Sequence, residues 1–76
     1  MMKASHFNVL ELDKGAWYIY HAPTGKMMRI RNSKPYFTRE ANYRLVLRDS
    51  KEMAEKLLIS VLSRFGDEIK KQVATP

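Results

Sequence analysis

The amino-acid sequence predicts an α+β fold: a small antiparallel sheet of three to four strands with one long C-terminal helix packed on one face. Three observations carry that prediction. From Ser50 to Val73, at about 100° per residue, Ala54, Leu57, Leu58, Val61, Leu62, Phe65, Ile69 and Val73 fall on one continuous stripe, with Lys51, Glu52, Lys56, Ser60, Ser63, Asp67 and Lys70 opposite. The stretch Ala16 to Ala22 is dense in aromatic and β-branched residues, which suit a pleated surface. Two turn signals, Asp13-Lys14-Gly15 and Pro23-Thr24-Gly25, share one grammar. Asp13 or Pro23 suits the first central position of a type I turn, and the glycine supplies the left-handed residue after it, which makes a three-residue hairpin loop.

Taken in order, residues 5–12 form a first, partly alternating strand that ends at Asp13-Lys14-Gly15. Residues 16–22 form the second and residues 26–32 the third. The segment 32–42 is polar and broken by Pro35, and is predicted to be a connecting loop. Residues 43–48 alternate, with Tyr43, Leu45 and Leu47 on one side and Arg44, Val46 and Arg48 on the other, which predicts a fourth strand; the competing assignment is a helix from Thr38 to Arg48. Asp49 or Ser50 can cap the long helix, and Asp49 with Glu52 has capping-box spacing. Its core is expected to centre on Leu58, Val61, Leu62 and Phe65. Gly66 marks either a bend or an early end, and Ile69 and Val73 continue the stripe in phase beyond it.

The 76 residues make one domain, 1–76, with the sheet over about 5–48 and the helix over about 50–73. A chain this short supports a single core layer, with no room for a deep cleft and its supporting shell. It has no cysteine, so neither a disulfide nor a thiolate metal site can form. The N-terminal Met-Met-Lys leads into no long apolar run, and no stretch approaches the roughly 20 apolar residues of a membrane span. A cytoplasmic protein that does not enter the membrane is the expectation. Fourteen Lys and Arg against eight Asp and Glu give a net charge of +6. That excess draws polyanions, although surplus lysine also serves solubility alone.

The turns set a register, and the register sorts side chains by face. With two three-residue loops, Leu10 lies opposite Tyr18, Val9 opposite Ile19, Tyr20 opposite Met28, Ile19 opposite Arg29 and Trp17 opposite Arg31. One face then carries Leu10, Leu12, Tyr18, Tyr20, Met28 and Ile30, with Lys26 its only charge. The other mixes Phe7, Val9, Trp17, Ile19 and Met27 with Glu11, His21, Arg29 and Arg31. The helix is expected to cover the first, because burying unpaired arginines costs too much. The second is left open, with Trp17 partly accessible on it.

Chemistry beyond binding is not visible in the residues. His6 and His21 lack a carboxylate at ligand spacing. Thr24-Gly25-Lys26 lacks the earlier glycine and the following Ser or Thr of a phosphate loop, and hairpin geometry explains it better. Ser60 and Ser63 lie on the polar helix face. A non-enzymatic protein without cofactor or metal is expected. Its candidate binding residues are Phe7, Trp17, Arg29, Arg31, Arg44 and Arg48, aromatics that can stack bases and arginines that can meet phosphates. Nucleic acid is the first expected partner. A protein partner is the alternative, since an aromatic anchor among arginines also composes an interface hot spot, as for a small phage- or plasmid-type inhibitor or accessory factor. A homodimer that buries the patch is the third.

Gly15-x-Trp17-Tyr18-x-Tyr20, Thr24-Gly25-Lys26 and Phe37-Thr38-Arg39-Glu40-Ala41 together resemble the layout of the arm-type DNA-binding domain of phage integrases. The resemblance covers residues 15–41. It implies a three-stranded sheet that enters the DNA major groove, followed by a helix beginning near Thr38, where the residue pattern itself predicts a loop and another strand.

Overall fold

The computed structural model describes residues 3–74. After a short 3-10 turn (Ala4–His6) come strands β1 (Phe7–Asp13), β2 (Ala16–His21), β3 (Lys26–Arg31), β4 (Lys34–Thr38) and β5 (Arg44–Leu45), and then helix α1 (Lys51–Gln72). The sheet is antiparallel in the order β1-β2-β3-β4, with β5 added on β3. The α+β class with one long C-terminal helix is therefore the observed architecture. No helix among the described residues is long and apolar enough to cross a membrane.

The first hairpin has the expected register over most of its length: Leu10 lies opposite Tyr18 and Val9 opposite Ile19, with a bulge between Glu11 and Asp13. Gly15 takes φ +83° there, and its N–H donates to Glu11 Oε2 at 3.0 Å.

The second hairpin differs by one residue, and that difference moves the rest of the sheet. His21, not Ala22, pairs with Lys26, and Tyr20 with Met27. Ala22 instead gives its N–H to His6, and Gly25 N–H closes a helical turn onto His21 O at 2.9 Å. The loop thus holds four residues, Ala22 to Gly25. One residue of slip turns every β3 side chain to the opposite face. Met28 joins Ile19, and Arg29 and Arg31 move to the side of Tyr18 and Tyr20. The helix still avoids unpaired arginines, but with this register that rule selects the other face. Phe7, Ile19, Met28 and Phe37 are buried against Val61, Ile69 and Val73, with Val9, Val46, Leu57, Leu58, Leu62 and Phe65 packed around them. The expected covering of Leu10, Tyr18 and Tyr20 is corrected accordingly.

The segment read as a loop contains β4. Asn32 (φ 52°) and Ser33 (φ 62°) make a two-residue turn with both central residues left-handed, the geometry of a type I′ hairpin. Pro35 is tolerated because β4 is an outer strand and Pro35 turns its backbone away from β3. On that outer edge Gln72 acts like a short piece of strand. Its Oε1 accepts from Phe37 N–H at 2.9 Å, and its Nε2 donates to Pro35 O at 3.3 Å. A non-glycine residue in the left-handed region costs roughly 1–2 kcal/mol. Ser33→Gly is therefore expected to stabilise the protein by about 1 kcal/mol. An unchanged or lowered midpoint in urea would show that Ser33 is not strained in this turn.

The fourth predicted strand is much shorter than residues 43–48. Only Arg44 and Leu45 pair as a strand, opposite Ile30 and Arg29. Val46 N–H continues onto Met28 O, and Arg48 exchanges both backbone bonds with Trp17 at 2.9 Å. Since β2 and β3 pair only next to their loop, this segment takes up the backbone groups that their separation leaves free.

In α1 the cap is Ser50, whose Oγ accepts from Met53 N–H at 3.2 Å. Phe65 leaves helical geometry (φ −125°, ψ 24°) immediately before Gly66, so the glycine region is a bend and not an end. The tail is well packed: Ile69 is 0% and Val73 5% exposed. The centre of the helix face lies on Ala54, Val61, Ile69 and Val73, whereas the expected Leu58, Leu62 and Phe65 are only partly buried at its margin.

Candidate functional site

The helix-free face is assembled from the cross-strand pairs. Asn8 lies opposite Tyr20, Leu10 opposite Tyr18, Tyr20 opposite Met27, Arg29 opposite Tyr36 and Arg31 opposite Lys34. The crossing from β4 to β5 must pass over β3, because both strands pair with it. It passes on this side, held by Arg29, whose Nη1 donates to Tyr43 O at 2.8 Å. Arg29 Nη2 reaches Met27 Sδ at 3.9 Å, while its Nε is buried without a hydrogen-bond partner. Next to it, Tyr36 meets Tyr43 edge to face, with ring centroids 5.0 Å apart. The Arg31 guanidinium lies over the Tyr36 ring, 5.1 Å from its centroid. Arg39 approaches Tyr20 across Gly25, where a Cβ would lie 3.7 Å from the Tyr20 hydroxyl and 3.9 Å from Arg39 Cδ.

The result is a surface of half-buried tyrosines laced with guanidinium groups. Arg31 and Arg39 are exposed. Lys34–Glu68, at 3.9 Å between exposed groups, is the one ion pair among the described residues, and such pairs contribute little. The arginines of this face are therefore not neutralised by partners of their own.

The six residues singled out in the sequence divide. Phe7 is 6% exposed, with its ring 5.4 Å from Phe37 and 4.8 Å from His21; it is a core residue and offers no free ring. Trp17 is half-buried and shares its side of β2 with Ile19 and His21, the helix-covered side. It is not opposite Arg31. Arg29 and Arg31 stand together on the helix-free face, Arg29 as the tether of the crossing loop and Arg31 as an exposed cation. Arg44, opposite Ile30, is exposed on the other side of β5. Arg48 is half-buried, its Nη1 donating to Leu47 O at 2.8 Å.

Tyr18 and Tyr20, from the side expected to be covered, join Tyr36, Arg39 and Tyr43, which the sequence does not single out, and together they make up most of the face. One signal in the sequence could have found this region. Between residues 22 and 48 there are seven Lys or Arg (Lys26, Arg29, Arg31, Lys34, Arg39, Arg44, Arg48) against Glu40 alone. The rest of the chain has seven of each sign. The whole excess of +6 thus resides in the part that folds as β3, β4 and β5.

His21 lies behind the second hairpin, 3% exposed, with Nδ1 2.7 Å from Thr24 Oγ1 and the His6 ring 6.0 Å away. Burial, then the neighbouring His6 and Lys26, hold its pKa below the ordinary 6.5. The unfolded chain takes up this proton near pH 6.5 and the folded chain only at lower pH. Between the two values the unfolded state binds more protons, so stability falls as pH drops below about 6.5 and levels off beneath the folded value. His21→Gln is expected to flatten that part of the curve in melts between about pH 7.5 and 5. Identical pH profiles for the two proteins would remove His21 as the cause.

The fold and this face define a small basic sheet-and-helix module with an aromatic–arginine surface. The chain matches no family model, no curated protein and no solved structure. The layout resembling integrase arm-type domains also breaks down on the geometry: Thr38 closes β4 where that layout needs a helix, and α1 begins only at Lys51.

Proposed function

We propose that this protein binds nucleic acid through the helix-free face of β2, β3 and β4, with cations meeting phosphates and tyrosine rings offered to bases. The observation that carries the reading is the Arg31–Tyr36–Tyr43 cluster, set in the segment that holds all of the net charge. Stacking on aromatic side chains and salt-sensitive phosphate contacts are the two terms that such a surface supplies. Arg29 serves by fixing the loop that presents Tyr43, and Arg31 and Arg39 serve by direct contact.

Fluorescence anisotropy with labelled single-stranded and duplex oligonucleotides, over a range of salt, tests this. Arg31→Glu with Arg39→Glu is expected to weaken binding by roughly tenfold or more at low salt and to make the salt slope shallower. Tyr36→Ala is expected to cost about 1–3 kcal/mol on single strands if bases stack there. Lys56→Glu with Lys70→Glu, exposed on the polar face of the helix, is the control. No binding at low salt, or equal losses in the helix control, would sink the proposal.

A further inference from the structure

The two outer edges of the sheet are treated differently. On β4, Pro35 removes one donor, and the Gln72 amide occupies the backbone groups of Pro35 and Phe37. Among the described residues, strand β1 has no such cover. It pairs only with β2. Its outward groups can be identified from the register. Ala22 N–H donates to His6 O at 3.0 Å, so Asn8 and Leu10, in phase with His6, turn their N–H and C=O towards β2. Phe7, Val9 and Glu11 turn theirs outward. Trp17 agrees: it lies opposite Glu11 yet exchanges both of its backbone bonds with Arg48. Phe7 N–H closes the 3-10 turn onto Ala4 O, and among the described residues no hydrogen bond to the outward groups of Val9 and Glu11 is formed. Strand β1 also has neither proline nor lysine, the usual guards of an edge, and its bulge lies only at its far end. Leu10 is 38% and Leu12 51% exposed beside it.

We propose that the β1 edge pairs antiparallel with the β1 edge of a second copy, making a two-fold dimer with one continuous sheet. The register that brings the exposed Leu10 of the two copies together is self-complementary. With Leu10 opposite Leu10 at the axis, Val9 of each copy meets Glu11 of the other, and both have outward groups to exchange. Asn8 meets Leu12, and no like charges face each other. Shifting the register so that Leu10 meets Leu12 sets Glu11 against Glu11, which is unfavourable. The two-fold axis stands perpendicular to the sheet, so both helix-free faces lie on the same side and both helices on the other. Because the β4 edge is capped by Gln72, pairing stops at two copies. A single strand edge is a small interface, and the dimer is a weak one that forms with rising concentration.

The chain has no cysteine, which permits a clean test by single substitutions. Directly opposed residues whose backbone groups point away from each other sit about 4.5 Å apart at Cα, within disulfide reach. Leu10→Cys is therefore expected to crosslink on mild oxidation at protein concentrations where Ile59→Cys, on the outer face of the helix and 70% exposed, reacts only by collision. In sedimentation velocity over a concentration series, the unaltered protein is expected to pass from monomer to dimer. Leu10→Lys is expected to raise the dissociation constant roughly tenfold or more, with its circular dichroism unchanged. A monomer at every concentration, with Leu10→Cys no faster than Ile59→Cys, overturns the proposal. So does a dimer that Leu10→Lys leaves intact.

Discussion

Phe37→Ala is expected to destabilise the protein by about 3–5 kcal/mol, the largest loss from truncating any one side chain. Phe37 is 1% exposed, among the largest fully buried side chains, and lies opposite Met28 in the β3–β4 ladder. Its ring touches Phe7 from β1, so one side chain joins an outer strand to the opposite outer strand beneath the helix. Its N–H is also the donor to Gln72. Truncation leaves a cavity between three elements that are held rigid by their own ladders and cannot collapse into it. Urea denaturation of the two proteins measures the difference. A loss below about 1 kcal/mol, the ordinary size for an average substitution, would mean that β4 is not part of the core.

Ending the chain after Asp67 is expected to abolish cooperative folding. The cut falls just past the bend at Phe65 and Gly66 and removes Ile69 and Val73, both buried. Each is the kind of side chain whose removal costs roughly 2–5 kcal/mol, against a total of about 5–15 kcal/mol for a whole domain. It also removes Gln72 from the β4 edge and the Gln72 carbonyl that accepts from Lys26 Nζ. The loss is therefore greater than that of two apolar side chains. Thermal melting by circular dichroism reads the outcome. A shortened protein that melts cooperatively at the original midpoint would show that the helix beyond the bend adds nothing.

The elements that the sequence discloses best are those with long, uninterrupted periodicity. Ala54 to Val73 repeat at helical spacing, and the first hairpin's glycine sets a register correct at Leu10 and Tyr18. What stays hidden depends on single residues. Nothing local tells whether Ala22 pairs with Lys26 or with β1, since its N–H has two partners to choose from and the choice is tertiary. That one bond decides which face Arg29 and Arg31 occupy. Likewise Asn32-Ser33 is a weak hairpin signal next to Asn-Gly, and Pro35 reads as a break unless its strand is known to lie at an edge. The local pattern therefore puts Phe37 in a loop. The same slip puts Phe7 and Trp17 on the arginines' face, because a three-residue second loop sets β3 one residue out of step. Tyr36 and Tyr43 are brought together only by the crossing over β3, which no local pattern announces.

The confinement of the excess charge to residues 22–48 gives the molecule an orientation as well as an attraction. Everything else in the chain sums to neutrality, so the protein is an electric dipole whose positive pole is the β3–β4–β5 half. The molecule spans 35 × 26 × 22 Å, several times the roughly 8–10 Å over which charge is felt at ordinary ionic strength. At a negatively charged surface only the near pole senses the field, and the resulting torque turns the body before contact is made. Molecules approaching in random attitudes are thus brought round to one attitude. Moving two of those arginines to the neutral end, by exchanging them with uncharged residues there, would keep the net charge and yet slow productive encounters.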